Sequence, residues 1–120
     1  MDYNDIQLIV EMLAHPRFKW MCGMKTDCGV RIKSGWQIKK WLKGFHVDDS
    51  PLPDISDPAT KGCLLAIVRK ASKDKEAYVC RFEEGWTVQE WPERQEQEYS
   101  SSEGMAMVKY IVRSPKYIND

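Results

Sequence analysis

The sequence predicts an α+β fold, with an antiparallel sheet made of two hairpins and helices packed on one face of it. Three observations carry that expectation. Apolar residues recur at helical spacing in three separated stretches. Between these stretches, two segments alternate apolar and polar residues around a short, turn-rich connection. The chain has 120 residues, 42% hydrophobic and 30% charged, which suits one core and one domain over 1–120. The expected order is α-β-β-(β)-α-β-β-α.

The first helix is expected over 4–14, with Asn4 as N-cap and Gln7 at capping-box spacing. Ile6, Ile9, Val10 and Leu13 form its apolar face, and His15-Pro16 ends it. Residues 17–33 read as a hairpin. Phe18, Trp20 and Cys22 share one side, Cys28, Val30 and Ile32 continue it, and Gly23–Asp27 makes the turn. Residues 36–42 fit a third strand through Trp36, Ile38 and Leu42, although Ile38, Trp41 and Leu42 also fit a helical turn. A long loop over 44–57 follows, kept extended by Pro51 and Pro53.

The helix at 57–72 carries the strongest local signals. Asp57 is an N-cap, Pro58 sits at the first helical position, and Arg69 and Lys70 lie near the C-terminal end. Cys63, Leu64, Ile67, Val68 and Ala71 make its apolar face. Gly62 inside it costs about 1 kcal/mol relative to alanine, which predicts close packing there. A second hairpin spans 77–91, turning at Glu83-Glu84-Gly85; Tyr78, Cys80 and Phe82 share one side of its first strand and Trp86 and Val88 one side of its second, with Cys80 and Trp86 expected in the core. After a polar loop at 93–102, a last helix begins near Ser101 or Ser102 and buries Met105, Val108, Ile111 and Val112. Ser114-Pro115 stops it, and the tail at 115–120 is expected to lack order.

The stretch Asp57-Pro-Ala-Thr-Lys-Gly-Cys-Leu-Leu-Ala-Ile-Val-Arg-Lys-Ala71 resembles a pattern of small phage and prophage proteins, D-P-A-T-x-G-C-L-L-A-x-V-R-x-A. Leu13-Ala-His-Pro-Arg-Phe-Lys-Trp-Met21 and Cys28-Gly-Val-Arg31 resemble the same proteins. Together these cover about half of the chain. Such proteins have no assigned activity. The resemblance therefore implies a setting, a bacterial host's cytoplasm, and no catalytic residue. Lys39, Lys40, Trp41 and the loop at 44–56 fall outside the pattern.

Composition narrows the function classes. The longest apolar run, Cys63 to Val68, is far short of the ~20 residues that span a bilayer, and no membrane partner is expected. The acidic first residues lack the basic start of a secretory signal, so reduced thiols are expected at Cys22, Cys28, Cys63 and Cys80. A Cys22–Cys28 disulfide across the hairpin is the alternative. The spacing C-x5-C is not that of a zinc site, and His15 and His46 lie in no catalytic motif. No catalytic residue, metal ligand or cofactor is expected.

Charge is unevenly spread along a chain whose formal sum is zero. Arg17, Lys19, Lys25, Arg31, Lys33, Lys39, Lys40 and Lys43 face one acid, Asp27, in that span, while 76–98 is rich in glutamate. The candidate binding set is Lys19, Arg31, Lys33, Trp36, Lys39, Lys40 and Trp41. Cations beside tryptophan suit an anionic partner: an acidic protein surface, a nucleic acid or a cyclic nucleotide. Three readings stay open. The protein is an accessory binder that inhibits a host protein such as a defence component, a nucleic-acid or nucleotide binder, or a virion component. Two alternatives compete for the charges themselves: pairing between the two hairpins within one chain, and pairing between subunits of a homodimer.

Overall fold

Three α-helices, one π-helical turn and one two-stranded hairpin make up the described part of the chain. The computed structural model describes residues 2–42, 51–92 and 98–115, and of Lys40 and Trp41 the backbone alone. The α+β class is as expected. The arrangement differs, because a helix rather than a sheet lies at the centre.

That helix is α3, Glu103–Arg113. It packs against both other α-helices and both strands. Met105, Ala106, Met107, Val108, Tyr110 and Ile111 are all buried, a near-continuous run that one amphipathic stripe would not produce. Ser102 caps it by accepting a hydrogen bond from the Met105 N–H at 3.2 Å. Gly104 is where another segment comes closest. A Cβ there would overlap the Ile55 carbonyl oxygen and lie 2.8 Å from the Ile55 Cβ.

The first helix, α1 (Tyr3–Leu13), starts one turn-step earlier than expected. Asp2, not Asn4, caps it, accepting from the Asp5 N–H at 2.9 Å. Ile9 and Met12 are its fully buried residues, and Ile6 is exposed. α2 (Pro58–Ala71) matches its sequence signals: the Asp57 carboxylate accepts from the Thr60 N–H at 3.0 Å, and Leu64, Ile67 and Val68 are buried. The close packing expected at Gly62 is not found, since an added Cβ would meet nothing within 4 Å. This glycine has no packing reason.

The expected first hairpin, 17–33, forms only a narrow loop. One isolated bridge joins Lys25 to Arg31, with backbone bonds from Gly23 N–H to Ile32 O and from Thr26 N–H to Val30 O. The turn sits over Thr26–Val30 with Gly29 at φ +91, not over Gly23–Asp27. Gly23, at φ +100, breaks the first arm, and a helix begins soon after the second. Moving the turn changes which residues face inward. Met24, Thr26 and Ile32 are fully buried, while Cys22, Cys28 and Val30 are exposed. All four cysteines are free, so the Cys22–Cys28 disulfide is not formed.

The third strand is also absent. Gln37–Trp41 is a π-helical turn. Ser34 and Gln37 cap it reciprocally: the Gln37 N–H donates to Ser34 Oγ at 3.4 Å, and the Ser34 N–H donates to Gln37 Oε1 at 3.1 Å. Of the expected long loop, 51–57 is described and lies beside the narrow loop, with Thr26 bridging to Pro53. Residues 43–50, 93–97 and 116–120 lie outside the described residues.

The second hairpin forms where expected, as β1 (Tyr78–Phe82) and β2 (Gly85–Gln89), antiparallel and joined by Glu83-Glu84. On β2, Val88 is buried on the apolar face it shares with Trp86, as expected; on β1, Val79 packs against the core, whereas Tyr78 and Phe82, on the face of Cys80, are exposed. β2 also exchanges both backbone bonds between Trp86 and Ser100, at 2.9 and 2.8 Å. Gly85 makes that approach feasible, with φ +136 and a would-be Cβ only 2.6 Å from the Ser100 carbonyl.

Candidate functional site

Local chemistry sorts the seven candidate residues into three groups. Arg31 belongs to the fold. Its guanidinium forms two bonds to the Asp57 carboxylate, 2.6 and 3.0 Å, and a third to the Gly23 carbonyl at 2.8 Å. The same carboxylate accepts from the Thr60 hydroxyl, which in turn accepts from the Lys25 N–H at 2.9 Å. The Arg31 guanidinium, with help from the Thr60 N–H and hydroxyl, holds the Asp57 carboxyl well below the usual carboxylate range against the opposing effect of burial. Arg31 is raised in turn, chiefly by its bond to Asp57. Three of its five N–H donors are thus committed within the fold.

Lys33, Trp36 and Lys39 form the second group. All three are exposed, Trp36 by 67%. They recur at three-residue sequence spacing, Lys33 just before the capped turn and Trp36 and Lys39 within its helical stretch. The turn is held in place from both ends. The Gln37 side chain also accepts from the Lys33 N–H at 2.5 Å, and Leu42 is buried in the core. Lys19 is exposed on the segment after α1. None of the Lys19, Lys33 and Lys39 ammonium groups has an ion-pair partner among the described residues.

Lys40 and Trp41 are the third group; their side chains lie outside the described residues.

The expected charge pairing between hairpins does not occur among the described residues. Arg31 pairs with Asp57, Lys61 with Glu103 at 3.6 Å, and Arg113 with Glu98 at 3.4 Å. None of these three pairs joins the 17–39 segment to the 76–90 segment. The tryptophans divide as well. Trp20 packs edge-on against Phe18 at 5.6 Å, Trp86 is half-buried, and Trp91 is 78% exposed.

Groups with catalytic potential are tied into the fold. His15 is buried and uses both ring nitrogens. Nδ1 accepts from the Arg17 N–H at 3.1 Å, which leaves the proton on Nε2 to be donated to the Ser114 carbonyl at 3.0 Å. Burial pushes the Cys63 thiol up, which disfavours the nucleophilic thiolate. Glu90 accepts from the hydroxyls of Ser72, at 2.6 Å, and Tyr110. Among the described residues, no three His, Cys, Asp or Glu side chains converge as a metal site would require.

For the segment that carries Trp36, the helical turn, the alternative to the favoured strand, is what forms, and Ser34-x-x-Gln37 is a capping-box signal for it. The exposure of Tyr78 and Phe82 is not foreseen in the sequence, because no local signal exists for it. No protein-family model, curated protein or solved structure matches the chain.

Proposed function

We propose that this chain acts by binding rather than by catalysis, with the Lys33–Trp36–Lys39 turn as its recognition face for an acidic patch on a partner protein. The supporting observation is a largely exposed tryptophan between two unpaired cations on a capped, core-anchored turn. Tryptophan buries 150–250 Å² when covered, worth roughly 4–6 kcal/mol at ~25 cal/mol/Å². Rigid aromatic anchors of this kind dominate protein interfaces. The flanking lysines would select an acidic partner and speed its approach. The resemblance to small phage proteins sets the expected partner as a protein of the bacterial host, a defence component among the choices, disabled by occlusion.

A second reading replaces the acidic protein with a nucleic acid or nucleotide, favoured by the same exposed indole, which can stack on a base. The zero formal net charge favours the first reading.

The test is affinity capture from host lysate using the wild-type chain, Trp36→Ala and the Lys33→Glu/Lys39→Glu double variant. The proposal expects a protein retained by wild type alone and released by salt. A partner held equally by all three would overturn it. Quenching of Trp36 fluorescence by an oligonucleotide or a cyclic nucleotide would move the assignment to the second reading.

A further inference from the structure

The outer edge of β1 is an open backbone edge. Trp86 directs both its N–H and its C=O to Ser100. In an antiparallel pair both groups of one residue point the same way, so the Arg81–Trp86 pair is the non-hydrogen-bonded kind, and so is Val79–Val88. The N–H and C=O of Val79 and Arg81 therefore point away from β2. Among the described residues they meet no backbone partner; the Cys80 thiol approaches the Arg81 carbonyl at 3.8 Å. Beside this edge, Tyr78 and Phe82 are 54% and 41% exposed, flanking the half-buried Cys80 and its buried cross-strand partner Thr87 on the same face. Phe82 is steadied by an edge-on contact with Tyr99 at 6.3 Å.

We infer that β1 accepts an extended segment of a partner protein as an added antiparallel strand, apolar where it faces Tyr78, Cys80 and Phe82 and basic at its N-terminal end. Val79 and Arg81 offer four backbone bonds, which sets affinity, and the aromatic face selects alternate side chains. Antiparallel addition lays the segment's N-terminal end beside the exposed Glu83-Glu84 turn, where two carboxylates favour lysine or arginine.

A second copy of this chain fits the edge poorly. Three self-pairing registers use the outward groups. Centring on Arg81 sets arginine against arginine. Centring on Cys80 sets Glu76 against the partner's Glu84. Centring on Val79 needs the N–H and C=O of Ala77, which are already bonded to the Asp74 carbonyl and the Arg69 guanidinium. The inference does not depend on the Lys33–Trp36–Lys39 reading.

Fluorescence anisotropy with a labelled, end-blocked peptide Lys-Lys-Val-Thr-Val-Thr-Val tests it. Wild type should bind with a dissociation constant on the order of 100 µM. Arg81→Pro removes an outward N–H while leaving the ladder to β2 intact, and should weaken binding at least about tenfold with its near-UV spectrum unchanged; Arg81→Ala should not. Should Arg81→Pro misfold, N-methylation of the peptide residue opposite Arg81 must produce the same loss on wild type. Replacing the two lysines of the peptide by glutamates should weaken binding several-fold. Absence of binding, equal binding by the N-methylated peptide, or a wild-type dimer in sedimentation would each overturn the inference.

Discussion

Arg31 locks the N-terminal cap of α2 from outside the helix. Its guanidinium grips the Asp57 carboxylate at 2.6 and 3.0 Å across 26 residues of sequence, while Asp57 still accepts from the Thr60 N–H. The narrow loop at 23–32 and the start of α2 are thereby one unit.

That unit predicts an acid response. The folded Asp57 carboxyl lies below its ordinary 3.8, so folding favours its ionised form. Its contribution is complete above pH ~4, where the unfolded chain is also ionised, and is lost as pH falls through the folded value. Arg31→Met should destabilise the protein at pH 7 and flatten the loss of stability between pH ~4 and ~2. Urea unfolding at a series of pH values measures both. Parallel wild-type and variant curves would contradict the assignment.

Two glycines predict opposite outcomes for the same substitution. Gly62→Ala adds a methyl group into open space in a helix and should stabilise by about 1 kcal/mol, raising Tm by about 4 °C. Gly104→Ala drives a methyl group into the Ile55 backbone and should cost about 1–3 kcal/mol or more. Thermal unfolding followed by circular dichroism distinguishes them.

His15 ties the end of α1 to the end of α3. His15→Ala leaves the Arg17 N–H and the Ser114 carbonyl without their side-chain partner. The expected cost is about 2–4 kcal/mol, since each orphaned buried group loses roughly 1–3. Denaturant midpoints at an unchanged slope are the measurement. A change under about 0.5 kcal/mol would mean the ends are held by other contacts.

Trp36→Ala should leave stability within about 0.5 kcal/mol of wild type, because the indole is largely outside the core. Ile111→Ala, fully buried in α3, should cost about 2–5 kcal/mol. Chemical unfolding of the two variants together checks that Trp36 serves a surface and Ile111 the core.

Much of the fold was legible where the rule is local. Asp57 and Pro58 start α2 where expected, and Glu83-Glu84 turns the hairpin where expected. Of the candidate residues, Lys33, Trp36 and Lys39 are exposed, as polar and flanking positions suggest, whereas nothing near Arg31 in sequence announces Asp57 as its partner.

The sequence by itself determined the α+β class, the Asp57 cap of α2, the start of α3 near Ser102, and the position of the hairpin at 78–89, because capping and turn chemistry act over a few residues. Tertiary structure decided the rest. On β1, Tyr78, Cys80 and Phe82 form a more apolar set than Val79 and Arg81, yet Val79 packs against the core opposite Val88, while Tyr78 and Phe82 are exposed. Tertiary structure also gave Arg31 a bidentate partner 26 residues away, which is a product of chain folding. Both outcomes depend on long-range contacts, which no local spacing encodes.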